Sequence, residues 1–211
     1  MHFHVITLFP KAFDSYLGES ILKRAIEDKK IKVTFYNPRD FVENKWKRVD
    51  RPPYGGGPGL VIEALPVIKA IEKALKRTKK AKIIWLSPNK KQFTNEYAHK
   101  AAKLKHLVIV CGRYEGIDAR VKKVFKMEEV SVGPYVLTGG ELPAMVIMDT
   151  VSRQVPGVLG NIDSLEERRV ASSDAYTRPE VFKYKNKSYK VPKILLSGHR
   201  AKIEEWKKKG R

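Results

Sequence analysis

Leu107-Val108-Ile109-Val110-Cys111-Gly112-Arg113-Tyr114-Glu115-Gly116 runs from an unbroken apolar stretch straight into a glycine-bounded turn. A short β-branched run stopped by glycine reads as a strand buried on both faces. Similar segments stand on either side. Lys82 to Leu86 is a β-branched run bounded by Ser87-Pro88. Glu128 to Val132 and Tyr135 to Leu137 are strand-like, the latter entering Thr138-Gly139-Gly140-Glu141-Leu142-Pro143. Helical spacing fills the gaps, at Thr94 to Lys103, Ile117 to Phe125 and Leu142 to Gln154. Further out, His4 to Phe9 and Lys32 to Tyr36 read as strands. Ala12 to Asp28 is helical by its spacing, with Leu17, Ile21, Leu22, Ala25 and Ile26 on one side. Leu65 to Lys76 is a second amphipathic helix, with Pro66 tolerated in its first turn. Strands alternating with helices predict an α/β fold, a mainly parallel sheet with helices on both faces.

Two stretches break the pattern. Asp40 to Gly59 is turn-rich and contains Gly55, Gly56, Gly57 and Gly59; loops this long within a domain are usually functional or mobile. Pro156 to Asp174 reads as a linker. Beyond Tyr176 the pattern predicts one short strand-like run and a helix from Ala201 to Lys209. The expected organisation is a main domain over 1–160, a linker over 161–175 and a basic C-terminal segment over 176–211.

The 211 residues carry a formal net charge of +20. A chain this basic attracts polyanions, nucleic acid first and anionic membrane second. Twelve Lys or Arg against three Glu lie between Arg178 and Arg211, interleaved with Phe182, Tyr184, Tyr189 and Trp206. Cations for phosphate and flat faces for bases suit single-stranded or loop RNA. A solvated lysine-rich tail whose aromatics pack inward is the alternative. No stretch approaches the roughly 20 apolar residues of a membrane helix, and the N-terminus lacks a signal-peptide pattern. Cys111 is the only cysteine, which favours a reducing compartment and a cytoplasmic location.

Three turns that follow strands share one character: Leu86-Ser87-Pro88, Cys111 to Gly116, and Leu137 to Pro143. Ligands of open α/β sheets bind outside the carboxyl ends of the strands, where glycine lets backbone amides come close. Neither G-x-G-x-x-G nor a glycine run ending in Gly-Lys-Ser/Thr is present, which argues against a standard dinucleotide site and a P-loop. A cradle of neutral backbone groups suits adenine and a sulfonium better than a triphosphate. The five histidines, His2, His4, His99, His106 and His199, show no metal-ligand spacing, so no zinc site is expected. Cys111 reads as a small buried side chain. Asp149 and Arg153 fit either an i,i+4 ion pair or an arginine facing a substrate carbonyl. Asp163 alone is a loop aspartate.

Together these strings resemble the bacterial tRNA (guanine-N1)-methyltransferases, members of the SPOUT class. They are Pro53 to Gly59, Leu86-Ser87-Pro88, Cys111 to Asp118, Tyr135 to Ala144, Pro156 to Leu159, Tyr176 to Pro179 and Leu195 to Gly198, in the family's order. The resemblance implies a deep trefoil knot around a bent S-adenosyl-L-methionine. It implies a homodimer with composite sites, acting on the anticodon arm of tRNA at the guanosine just 3′ of the anticodon, with Mg2+ assisting. On that pattern the cofactor pocket takes Leu86, Ser87, Pro88, Gly112, Tyr114, Gly116, Val132, Gly133, Pro134, Tyr135, Val136, Leu137, Gly139, Gly140 and Pro143.

Guanine N1 carries a proton, so transfer needs a general base there and a cation to meet the charge growing on O6. The family's residues for these roles match Asp163 and Arg153, with Glu115 a further catalytic candidate and Glu115 with Asp163 the candidate Mg2+ ligands. Four departures stand out. Leu165 replaces the usual phenylalanine after a shorter lead-in, which makes Glu167 and Asp174 alternative bases. Pro134 replaces an aspartate, Arg200 stands where histidine is common, and the sequence stops at Arg211, soon after the first helix of a segment expected to be longer.

Overall fold

In a computed structural model, described over residues 1–76, 78, 80–160 and 174–209, the chain forms two compact units, Met1–Leu159 and Gly160–Arg211. The first unit is built on five parallel strands in the order β2-β1-β6-β5-β7. These are β1 (His2–Ile6), β2 (Lys32–Tyr36), β5 (Lys82–Gln92), β6 (His106–Val110) and β7 (Glu128–Ser131). A separate two-stranded ribbon pairs β3 (Asp50–Arg51) with β4 (Val61–Ile62).

Helices cover both faces because their apolar residues recur with a helical period. On one face, α6 (Glu141–Arg153) buries Ala144, Ile147, Met148 and Val151, and α4 (Asn95–Ala102) buries Tyr97, Ala98 and Ala101. The short helices α1 (Asp14–Leu17) and α2 (Ser20–Glu27) complete it. On the other face, α3 (Ala64–Leu75) buries Val67, Ala70, Ile71 and Ala74, and α5 (Val121–Val124) buries Val121. Each large aliphatic so buried contributes about 1.5–3 kcal/mol. Thr94 caps α4 by accepting the Tyr97 amide at 3.2 Å; this is the side-chain capture that favours threonine at such positions.

Several expected elements differ. The single helix over Ala12 to Asp28 is broken, because the chain turns at Gly18 and Ser20 takes a φ of +50°. The run from Lys82 continues to Gln92: β5 leaves the ladder after Leu86 and rejoins at Lys91, both residues being paired with Val130. Pro88 has no N–H for the ladder, so the excursion falls around it. Tyr135 to Leu137 is a loop, and the helix expected over Ile117 to Phe125 is confined to α5.

The second unit holds a hairpin of β8 (Val181–Tyr184) and β9 (Lys187–Lys190), then α7 (Lys193–Leu196) and α8 (Arg200–Lys209). This is more structure than the one run and one helix expected. Lys185 and Asn186 both have positive φ at the turn, which matches the twist of a two-residue hairpin. Phe182 and Tyr189 stack across the strands at 5.1 Å. Among the described residues, no helix is long and apolar enough to cross a membrane.

Candidate active site

The excursion in β5 after Leu86 and the carboxyl ends of β6 and β7 open into one pocket of about 500 Å³. Its walls are the three turns singled out in the sequence. From the first come Leu86, Ser87 and Pro88; from the second Gly112, Tyr114, Glu115 and Gly116; from the third Leu137, Gly139, Gly140 and Pro143. Val132, Gly133, Tyr135 and Val136, from the loop after β7, complete the wall, whereas Pro134 does not line it.

Space explains the glycines. The Gly140 amide donates to the Gly112 carbonyl at 2.8 Å. A Cβ on Gly140 would stand 2.6 Å from the Cys111 Cα, a backbone atom that cannot give way, whereas one on Gly133 would meet only the ring of the exposed Tyr135 side chain. Gly139 bridges to Arg113 as an isolated antiparallel pair. The second turn is tight because Gly116 donates back to the Arg113 carbonyl at 3.0 Å, with Tyr114 at φ +59° and Gly116 at φ +117°.

Behind this wall lies a polar brace that sequence reasoning missed. Glu141, buried at the start of α6, accepts from Thr7 Oγ1 at 2.7 Å and from Arg113 Nε at 2.9 Å. The Arg113 guanidinium also lies 4.7 Å from the Phe9 ring centre. Thr7 and Phe9 are more than 100 residues from their partners, so no local pattern could have disclosed the brace. Cys111 is fully buried, and burial pushes its thiol well above the usual range, with Glu141 adding to the effect. It is therefore inert packing rather than a nucleophile.

The loop ending at Gly59 folds against the second turn. The Glu115 amide donates to the Leu60 carbonyl at 3.0 Å, and a Cβ on Gly59 would lie 2.7 Å from the Glu115 side chain. Glu115 itself is exposed at the pocket. Arg153 is the last residue of α6, whose first turn forms the pocket wall, so about 18 Å of helix separates the two. Asp149 does not pair with Arg153; it accepts the Tyr16 hydroxyl at 2.5 Å, which raises that phenol's pKa. Asp163 and Glu167 lie outside the described residues, and Asp174 lies within the second unit.

A family model described as tRNA (Guanine-1)-methyltransferase TrmD matches residues 1–211. The chain belongs to the tRNA (guanine-1)-methyltransferase family. Its activity is methyl transfer to guanine N1 in tRNA. A tRNA (guanine-N(1)-)-methyltransferase of Ruminiclostridium cellulolyticum is 44% identical over 214 residues, covering 98% of this chain and 89% of the relative. One from Clostridioides difficile is 41% identical over 214 residues, covering 99% and 91%. The crystal structure of a tRNA (m1G37) methyltransferase from Aquifex aeolicus superposes with a TM-score of 0.80 at 36% identity, covering 98% of this chain and 87% of that one.

Proposed function

We propose that the chain transfers a methyl group from S-adenosyl-L-methionine to N1 of the guanosine just 3′ of the tRNA anticodon, the position modified by the Aquifex aeolicus enzyme. One observation carries the donor assignment: three turns, two of them glycine-bearing, converge on a single pocket at the β5 excursion and the carboxyl ends of β6 and β7. Its volume suits a ligand of nucleoside size. Backbone and apolar groups make up much of its wall, which fits an adenine and a sulfonium. Bound there, S-adenosyl-L-methionine supplies an electrophilic methyl group.

Asp163 takes the N1 proton as general base, and Arg153 meets the charge that grows on O6. Glu115 offers the hard carboxylate oxygens that suit Mg2+, with Asp163 as its partner ligand. Arg153 stands too far along α6 to serve the pocket of its own chain, so the working site combines the pocket of one copy with Arg153 and Asp163 of a second. The surface for that pairing is the shallow apolar groove where Leu142 and Val146 of α6, 58% and 47% exposed, lie beside Ala12 and Tyr16. The trefoil knot implied by the resemblance would bring these turns together, and Gly140 packs against the Cys111 backbone too closely for any side chain.

The test is methyl transfer to two tRNA transcripts, one with guanosine and one with adenosine after the anticodon. Only the first should be methylated; equal labelling of both would refute the assigned position. Asp163→Asn should lower turnover by about 10²–10⁴-fold while calorimetry shows cofactor binding nearly unchanged. Full activity in that variant would move the base to Glu167 or Asp174.

A further inference from the structure

At the amino end of the sheet, opposite the pocket, three histidines meet. His2 and His4 lie two apart on β1 and so share a face. The parallel register sets His106 of β6 beside His2. Each offers a ring nitrogen, and the three nitrogens lie within 4.8 Å of one another. His4 Nε2 and His106 Nδ1 are 3.1 Å apart. Two nitrogens on a tetrahedral zinc, each about 2.0–2.1 Å from the ion, are about 3.4 Å apart. One edge of a coordination polyhedron is therefore almost formed, and small ring rotations complete it.

The second nitrogens of His4 and His2 are anchored as metal-bound imidazoles require. His4 Nδ1 lies 3.1 Å from the Tyr36 hydroxyl, and His2 Nε2 lies 2.9 Å from Thr34 Oγ1. With Nδ1–H of His4 donating to Tyr36, its Nε2 lone pair faces the cluster. His4 is fully buried, whereas His2 and His106 are half-buried, which leaves an approach from solvent. The set contains imidazole and no carboxylate, which disfavours Mg2+ and Ca2+ and favours zinc and its neighbours.

We propose that His2, His4 and His106 bind one divalent transition-metal ion of the zinc class, with water completing the shell, as a clamp between β1 and β6. Lys32 lies beside His2 in the register. Its charge opposes the ion, so the affinity comes from the imidazole donors alone. The residues escape a spacing search because 102 positions separate His4 from His106.

The test is titration of the full, tag-free chain with Co2+, followed by Zn2+ in competition with a chromogenic chelator. One Co2+ per chain with the intense visible bands of tetrahedral coordination is expected, displaced by Zn2+. His2→Asn with His106→Asn should abolish those bands and the zinc-dependent rise in unfolding temperature. Tyr36→Phe keeps the ring and removes the anchor, and should weaken binding about tenfold. Circular dichroism checks that each variant is folded, and Tyr36→Phe still reads the site if the double variant is not. Octahedral Co2+ in the parent chain, or equal affinity in parent and folded variants, overturns the proposal.

Discussion

Glu141 is 3% exposed yet carries a carboxylate, because Thr7 and Arg113 satisfy both its oxygens from remote parts of the chain. Removing one partner of a buried ion pair leaves the other charge uncompensated, which costs more than the pair contributed. Arg113→Ala should therefore destabilise the protein by about 3 kcal/mol, measured by urea unfolding. A loss below about 1 kcal/mol, the worth of an exposed pair, would show that water reaches Glu141. Gly140 illustrates a different constraint. Its φ of −81° is open to any residue, so space alone excludes a side chain there. Gly140→Ala should abolish calorimetric S-adenosyl-L-methionine binding, since its Cβ pushes on the Cys111 backbone. In sequence, Gly139-Gly140 announces a turn; which neighbour demands the glycine is a tertiary matter.

The excursion in β5 is an element that needs fastening on both sides. Glu128 of β7 supplies it, taking Lys82 at 2.5 Å from before the bulge and Lys91 at 2.8 Å from after it. The Tyr97 hydroxyl donates to the same carboxylate at 2.9 Å. Burial on its own would raise this carboxyl, but the hydrogen bonds from Lys82, Lys91 and Tyr97 override it and hold the pKa at about 2, below its ordinary 4.5. A depressed carboxyl binds protons more weakly when folded than when unfolded, so its stabilisation is present above pH 4.5 and fades as pH falls toward 2. Thermal unfolding of Glu128→Gln should accordingly show a shallower loss of stability between pH 5 and pH 2 than the parent. Identical profiles would mean the clamp is screened by solvent. Ser87-Pro88 reads in sequence as the end of the strand, so neither the excursion nor its return to the same partner, Val130, was legible there.

At the scale of the molecule, the proposed composite site predicts complementation. Chains carrying Asp163→Asn, mixed with chains carrying Gly140→Ala, should recover part of the activity that each lacks alone, through one intact site per heterodimer. A fully active monomer in solution scattering would refute sharing. The second unit supplies the other prediction, because its twelve cations from Arg178 onward can displace counterions from phosphates. If six reach the RNA, log K against log salt should fall with a slope of roughly −4 to −5. Replacing Lys202, Lys207 and Lys208 by Gln should flatten that slope and raise KM, leaving kcat nearly unchanged. A shallow slope that ignores the substitutions would assign RNA binding to the first unit.

Periodicity and turn chemistry are local properties, and they were enough to determine the parallel α/β sheet, the helices on both faces and the three turns that build the pocket. Lys32–Tyr36 could be read to the residue, because an alternation of apolar side chains needs no partner to be seen. Family strings added the activity. What only the tertiary structure decided are relations between distant residues: Thr7 on Glu141, Gly140 against Cys111, Glu128 across the β5 excursion, and His106 beside His2. None of these leaves a spacing in the chain, because each contact is set by strand register and helix packing, which exist only once the sheet has closed its hydrogen bonds.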